Sequence, residues 1–386
     1  MSICLPKLSQ FLLPVKNITP NSVHGDSDFT YIDISSVDRD SRSIVTPQVI
    51  QTSVAPSRAR QELMAGDIIV STVRPNLNTV AMVMAAHADA IASTGFCVLR
   101  PDFNRLDPRY LYHWVSSEAT VRRLVSLATG ATYPAVSDKI IKSLELNLPT
   151  LLEQKRIATI LDKAESLRHK RQEAVFLADD FLRAVFLDMF GDPVSNPRGW
   201  VTSSIIDLCS LATGGTPNRD EPSYFDGPHP WVKTGEVDSD WIIASEEHIS
   251  DRAISESNCK LFPPKTILVA MYGQGKTRGK VGMLGMTAAT NQACAAILPS
   301  EKINSYFLLA QLRLMYDHLR AMGRGGNQEN LNLGMIKSLK VLVPPPELVT
   351  NFIDILQHAT KVKSKAVSGQ NEINLLAMSF SSKFFA

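Results

Sequence analysis

Cysteine is scarce in this chain. Cys4, Cys97, Cys209, Cys259 and Cys294 are odd in number, widely separated and contain no CxxC pair, so neither a disulfide framework nor a zinc site is indicated and a reducing compartment fits best. No apolar run approaches the roughly 20 residues needed to span a bilayer, and the N-terminus lacks the charged flank and apolar core of a signal peptide. A cytoplasmic protein without a membrane partner is expected. Catalytic signatures are lacking too: there is no Asn-Pro-Pro-Tyr or Asp-Pro-Pro-Tyr methyltransferase loop, no HExxH and no G-x-S-x-G, the motifs that would mark a metalloprotease or a hydrolase nucleophile. Histidines stand singly and suggest no metal site. The net charge is only +2, from 40 basic and 38 acidic residues, which neither demands nor excludes nucleic acid, because a basic face is easily offset elsewhere.

What the chain does have is a repeat. Lys142-Ser143-Leu144-Glu145-Leu146-Asn147-Leu148-Pro149 returns as Lys337-Ser338-Leu339-Lys340-Val341-Leu342-Val343-Pro344, an offset of 195 residues (position 142 to position 337), about half of the 386-residue chain. A hydrophobic share of 44% and a charged share of 20% describe a folded protein, and the length suits two domains of about 150 residues with connectors. A duplicated module on a duplicated spacer lets one chain read two separated places on one partner.

Each copy is followed by a long helical pattern. After Pro149, Thr150 and Glu153 have the spacing of a capping box. Ile157, Leu161, Ala164, Leu167, Val175, Ala178, Leu182, Val185 and Met189 then keep three-and-four spacing until Gly191-Asp192-Pro193. At about 1.5 Å per residue such a helix is a rod of roughly 55 to 60 Å. The second pattern starts at Pro344-Pro345-Pro346 and carries Phe352, Ile355, Leu356, Ala359, Val362, Val367, Ile373, Leu376 and Phe380, with Gly369 as its weak point. An apolar stripe needs a partner, and the other rod of the same chain is the nearest one, so antiparallel pairing as a coiled coil is expected. Arg168, His169, Lys170 and Arg171 interrupt the first stripe, and Lys361, Lys363 and Lys365 occupy the matching stretch of the second. They read as a solvated face, or as a seam that docks protein or DNA phosphates.

The segments before each rod read as mixed α/β domains. The first has strands over 67–73 and 94–99 and a helix from Pro108 to Val125; the second has strands over 266–272, 279–284 and 293–298 and a helix from Ser305 to Met322. The boundaries drawn are 1–149 and 191–343 for the domains, 150–190 and 344–386 for the helices. The fold class is thus α+β, two mixed domains joined by two long helices in an internal pseudo-twofold repeat. The stretch Met271-Tyr272-Gly273-Gln274-Gly275-Lys276-Thr277 ends like a phosphate-binding P-loop, but Ala270 stands where the first glycine belongs and a strand follows where a helix is required. ATP binding by this chain is rejected on that ground.

Were the partner of the duplicated module DNA, residue type and loop position would nominate the contacts, since Arg and Lys suit guanine and phosphate while Asn and Gln suit adenine. In the first domain they are Arg74, Asn76, Asn78, Thr129, Thr132 and Tyr133. In the second they are Thr216, Asn218, Arg219, Lys233, Tyr272, Gln274, Lys276, Arg278, Arg324, Asn327, Gln328 and Asn330. A turn-stabilising or solvated role is the alternative at each.

The segment from Pro149 to Pro193, with Glu153-Gln154-Lys155-Arg156-Ile157-Ala158, Ile160-Leu161-Asp162-Lys163-Ala164 and Phe186-Leu187-Asp188-Met189-Phe190-Gly191-Asp192-Pro193, closely resembles the central conserved region of the DNA specificity subunit of type I restriction-modification systems. Gly214-Gly215-Thr216-Pro217 and Pro230-Trp231-Val232-Lys233-Thr234-Gly235-Glu236-Val237 look like the opening of a target recognition domain of that family, Gly279-Lys280-Val281-Gly282 like its mid-domain strand, and Gly325-Gly326 ahead of Leu331-Asn332 like its closing loop. The resemblance covers essentially the whole chain. It implies two target recognition domains, each reading one half of a gapped site on double-stranded DNA, with rod length setting the unread spacer. The subunit itself would have no catalytic residue, metal or cofactor. Two copies of a modification subunit would bring S-adenosylmethionine and methylate adenine, and a restriction subunit would use ATP and Mg to cut. Glu153, Gln154, Lys155, Arg156, Arg168 and Arg171 are the candidates for docking a partner subunit. Position for position, Glu153-Gln154-Lys155-Arg156 becomes Leu348-Val349-Thr350-Asn351, so two such docking sites would differ in strength, and the first repeat has no counterpart of Gly199-Trp200. Three other readings compete: the specificity subunit of a fused methylase-nuclease system, a coiled-coil scaffold that does not bind DNA, and a nucleotide hydrolase built on Gly275-Lys276-Thr277.

Overall fold

The structure, a computed structural model, describes residues 5–130, 132–237, 241–273, 275–323 and 330–385. The chain divides into two compact units, Met1–Ala174 with Lys365–Ala386, and Val175–Ser364. Two helices of 40 residues, Leu151–Phe190 and Pro346–Phe385, each contribute a part to both units.

In the first unit a four-stranded antiparallel sheet runs in the order Leu12–Leu13, Phe96–Pro101, Ile68–Ser71, Val80–Met82. Its two central strands are buried throughout, which is why they read as continuous apolar runs and not as alternation. The period of two is still at work: Ile68, Val70, Cys97 and Leu99 enter one apolar cluster, whereas Ile69, Phe96 and Val98 enter another on the opposite face. A second sheet, in the order Gln48–Gln51, Asp28–Ile32, Ile91–Ser93, Ala59–Glu62, contains a parallel pair in which Tyr31 faces Ile91. On the strand Phe96–Pro101, Arg100 makes a two-pronged ion pair with buried Asp67, Nε to Oδ1 at 2.9 Å and Nη2 to Oδ2 at 2.8 Å.

The second unit repeats this order. Its main sheet is Leu211–Thr213, Cys294–Ile297, Ile267–Ala270, Val281–Met283, all antiparallel, and its second sheet places His229–Val232 between Glu247–Ile249 and a parallel Ala289–Thr290. Again the central strand alternates, with Ile267 and Val269 in one cluster and Leu268 and Ala270 in the other.

The helices expected over Pro108 to Val125 and Ser305 to Met322 are both broken. The first is Pro108–Ser116 followed by Glu118–Leu127, because Ser117 adopts an extended backbone and its Oγ accepts from Thr120 N, ending one helix and capping the next. The second is Ser305–Leu314 followed by Tyr316–Met322, interrupted at Met315. Four of the expected strands are also shorter by a residue or two at their ends, and the one expected over 94–99 lies two residues further on, at Phe96–Pro101.

Within each unit the two long helices run in opposite directions. In the first, Ile157, Ala158 and Leu161 share a cluster with Phe385, while further along Arg171 lies across Gly369. A Cβ on Gly369 would fall on the Arg171 guanidinium, so the glycine costing helix propensity in mid-helix is the residue that seats this arginine. In the second unit, Lys363 Nζ meets Asp179 Oδ1 at 2.6 Å, and Phe352 meets Phe186 and Phe190 edge-on with ring centroids 5.4 and 5.7 Å apart. Such aromatic pairs add about 0.5–1.5 kcal/mol each beyond burial.

Candidate nucleic-acid interface

In the first unit the strand Ile68–Ser71 runs into a polar loop. Its 3-10 turn Pro75–Leu77 is flanked by Arg74 and Asn78, both left-handed with φ 51° and 48°. Beside it lies the loop 129–135. Arg74 N donates to Pro134 O at 2.7 Å, Val136 N to Thr72 O at 2.8 Å, and Thr129 and Ala135 exchange backbone bonds of 2.9 Å. The Arg74 guanidinium stacks 4.8 Å from the centre of the Tyr133 ring, which is 66% exposed. Arg74, Asn76, Thr129, Thr132 and Tyr133 are all exposed on these two neighbouring loops. Asn78 is the exception: its Nδ2 donates to Ser116 O at 2.9 Å, so its amide anchors the loop to the helix break and is not a free base reader.

The second unit repeats the first of these loops and the backbone bond at its stem. Strand Ile267–Ala270 pairs antiparallel with strand Val281–Met283, which follows the loop and which a P-loop would replace with a helix. Leu331 N donates to Met271 O at 3.1 Å, the counterpart of the Val136 to Thr72 bond, and places Asn330 next to this loop. Tyr272, Lys276 and Asn330 are exposed. Arg278 is not: it is only 7% exposed, so its nomination as a DNA contact is corrected to a buried role. Gln274, Arg324, Asn327 and Gln328 lie outside the described residues.

Thr216, Asn218, Arg219 and Lys233 belong to a different place in this unit, at and beside a cleft of about 560 Å³ lined by Thr216, Arg219, Trp231, Lys233, Glu246 and Asn291 among others. Thr216 Oγ1 is paired with Gln292, and Asn218 Oδ1 accepts from Asp220 N at 3.1 Å. Arg219 stacks 4.4 Å from Phe225 and 4.9 Å from Trp231 and binds Glu247 at 2.6 Å. Lys233 reaches Glu246 and Glu247 at 2.9 and 3.0 Å. The Arg219 bond, with that of Lys233, holds the Glu247 carboxyl below the ordinary glutamate range, and the glutamates raise the Lys233 ammonium. Both cations therefore meet carboxylates of their own unit before any phosphate. Glu246 and Glu247 escaped sequence reasoning, although two adjacent glutamates opening the strand Glu247–Ile249 were the available signal.

Of the docking candidates, Lys155 and Arg156 are exposed on the first turns of the helix, with Arg156 3.4 Å from Glu153. Thr150 Oγ1 accepts from Glu153 N at 3.3 Å, as the capping spacing predicts. Gln154 is corrected. It is 1% exposed, its Oε1 accepts from Asp107 N at 2.9 Å, and its Nε2 donates to Arg105 O and Pro149 O at 3.0 and 2.9 Å, which leaves nothing to offer a partner. Arg168 donates to Asp40 O at 3.0 Å and Arg171 is seated on Gly369, so both serve packing inside the first unit. Among the described residues, no group of three or more His, Cys, Asp or Glu side chains is arranged to hold a metal, and no helix is long and apolar enough to cross a membrane.

A duplicated α+β domain that hangs a polar loop on the same strand in each copy has the build of a recognition protein. Comparison with known proteins fixes which one: the family model for the type I restriction modification DNA specificity domain matches residues 24–175 and 197–374, and the chain belongs to this family. The specificity subunit of the type I restriction enzyme HindI from Haemophilus influenzae is 21% identical over 375 residues, covering 77% of this chain and 81% of that protein. Among solved structures, a chain from a study of complex assembly and conformational transition in the type I R-M system aligns over 99% of this chain and 98% of its own, with 24% identity and a TM-score of 0.59. The type I restriction-modification S subunit from M. genitalium aligns over 99% and 96%, with 13% identity and a TM-score of 0.61. At these identities the structural likeness speaks for the fold.

Proposed function

We propose that this chain is the sequence-specific DNA-recognition subunit of a type I restriction-modification system and reads a gapped site in two halves, one through each unit. The observation that carries the reading is the repeated stem, loop residues 72–79 joined to Val136 and loop residues 271–273 and 275–280 joined to Leu331, hung on the same strand order in both halves of a chain of this family. Arg74, Asn76, Thr129, Thr132 and Tyr133 would face one half-site, and Tyr272, Lys276 and Asn330 the other, with phosphate contacts setting register and a few base-edge contacts setting sequence. The chain itself carries no chemistry in this reading. Adenine methylation with S-adenosylmethionine falls to two copies of a modification subunit, and cleavage with ATP and Mg to a restriction subunit. Glu153, Lys155 and Arg156 remain as side chains for docking the modification subunit.

Co-expression with the adjacent methyltransferase gene, followed by genome-wide mapping of methylated adenine, tests the proposal. A split motif with a fixed unread spacer, lost on deletion of this gene, is the expected result. A folded, assembled complex that methylates no defined motif would refute it and favour a scaffold.

A further inference from the structure

The loop residues 271–273 and 275–280 have little reason to hold a single shape by themselves. Gly273, Gly275 and Gly279 all have positive φ, at 144°, 61° and 85°, and glycine loses more freedom on ordering than any other residue. Yet three carbonyls of the loop backbone, those of Gly275, Lys276 and Arg278, are held from outside by one helical turn. Tyr316 Oη donates to Lys276 O at 2.7 Å, and Arg320 Nη1 donates to Gly275 O at 2.8 Å and to Arg278 O at 3.3 Å. The two clamping groups are themselves joined, Arg320 Nη1 donating to Tyr316 Oη at 3.1 Å. Gly279 closes the contact from the other side. A Cβ there would stand 3.2 Å from Arg320 Cγ and 3.5 Å from Leu319 Cβ, so this glycine is what lets the loop lie against the helix.

Tyr316 opens the helix that follows the break at Met315, and it stands one turn from Arg320. The first unit anchors its equivalent loop at the equivalent break, but with the roles reversed, the loop's Asn78 donating to the helix carbonyl of Ser116. Both Tyr316 and Arg320 are half-buried and lie outside the apolar clusters of their unit. Their polar atoms serve the loop and not the core.

We infer that Tyr316 and Arg320 are positioning residues for DNA recognition by the second unit, fixing the backbone over 275–278 so that Tyr272 and Lys276 are presented to the half-site in one conformation. The inference rests on the DNA-recognition reading above. Its physical content is preorganisation: a loop that samples many conformers binds with an affinity reduced by the fraction that is competent. Losing the Tyr316 hydroxyl frees one loop carbonyl, removes an acceptor of Arg320 Nη1 and lowers discrimination at that half-site about 3- to 10-fold. Losing the Arg320 guanidinium frees two carbonyls and lowers it roughly 10- to 100-fold.

The test uses the full chain to select duplexes from a random library, comparing wild type with Tyr316→Phe, Arg320→Met and Arg320→Lys. Wild type recovers two defined half-sites. In Tyr316→Phe and Arg320→Met one half becomes degenerate while the other is recovered unchanged, melting temperature and the slope of affinity against salt stay as in wild type, and Arg320→Lys restores part of the lost half. Recovery of both halves intact in Tyr316→Phe and Arg320→Met overturns the inference and leaves the recognition reading standing. Loss of both halves together, or a loss that tracks a lowered melting temperature in Tyr316→Phe, overturns it in favour of a structural role. A wild-type chain that selects no sequence overturns the recognition reading, and the clamp with it.

Discussion

Gln154 separates a packing role from a docking role by measurement. Replacement by leucine keeps the volume but removes three hydrogen bonds: Asp107 N loses its acceptor, and the Arg105 and Pro149 carbonyls lose their donor. Asp107 is also the cap of the helix Pro108–Ser116, its Oδ1 accepting from Arg109 N and Tyr110 N at 3.0 and 3.2 Å, so disturbance at its backbone spreads to that helix start. A buried donor left without a partner costs about 1–3 kcal/mol, and the two half-buried carbonyls recover part of their loss from water. Apolar burial of the leucine offsets some of the rest, so Gln154→Leu is expected to destabilise the first unit by about 2–4 kcal/mol. Urea unfolding of the full chain followed by circular dichroism measures it. With a slope of roughly 2–3 kcal/mol/M the midpoint of one transition falls by about 1 M, while Lys155→Ala, one residue on and exposed, stays within about 0.5 kcal/mol. Gln154→Leu with wild-type stability but impaired assembly with a methyltransferase partner would refute the reasoning and return Gln154 to the docking surface.

Asp67→Ala leaves the Arg100 guanidinium buried without its paired carboxylate, keeping the bond from Nη2 to Glu62 O at 3.1 Å and the Glu62 carboxylate 4.0 Å away. It is expected to cost about 3–5 kcal/mol, seen as a fall of about 10 °C in the melting of the first unit; a fall under about 2 °C would contradict the ion-pair account. Cys97, Cys209, Cys259 and Cys294 are buried free thiols whose ionisation burial pushes upward, to about 12 for Cys294. Native protein treated with a maleimide at pH 7 should therefore leave these four unmodified by mass spectrometry until denaturant is added, and rapid labelling of any of them would count against its burial. Glu247, with its carboxyl held low by Arg219 and then Lys233, contributes stability that is complete above the ordinary glutamate range and lost as pH falls through its depressed value. Trp231 fluorescence should thus distinguish Glu247→Gln from wild type at neutral pH and cease to do so in strong acid; a difference of equal size at both ends rules this out.

The two long helices were legible because their signals are local: three-and-four spacing, a capping threonine, and Gly191 with Pro193 to stop the first. The strand cores were legible for the same reason, as apolar runs buried on both faces. The helix breaks were not. Ser117 and Met315 sit inside apolar periodicity, and the turn there is set by tertiary packing and by a serine hydroxyl that caps a new helix, a choice no spacing reveals. Site residues divide in the same way. Loop position pointed to Arg74, Tyr133, Tyr272 and Lys276, which stand exposed. It also nominated Asn78, Gln154 and Arg278, which are half-buried or buried, because residue type states what a side chain is able to bond and is silent on whether the fold has enclosed it. Tyr316 and Arg320 went unmarked since a tyrosine and an arginine four apart on a helix look like any amphipathic face.

The stems of the paired loops are joined by bonds that side chains do not make. Val136 N to Thr72 O in one unit and Leu331 N to Met271 O in the other are backbone bonds at matching positions, and any residue but proline supplies that donor. Register between the loops is therefore held whatever sequence the loops carry, and the buried strands behind them fix where the stems emerge. Anchoring of the loop itself is left to side chains, and here the units diverge, with an asparagine in the loop of one and a tyrosine and arginine on the helix of the other. A frame fixed by backbone and core, with tips fixed by replaceable side chains, allows one half-site to change without disturbing the fold or the reading of the other half. It follows that Asn78, Tyr316 and Arg320 must change together with the loops they hold, whereas Thr72, Val136, Met271 and Leu331 need only keep their backbone groups in place.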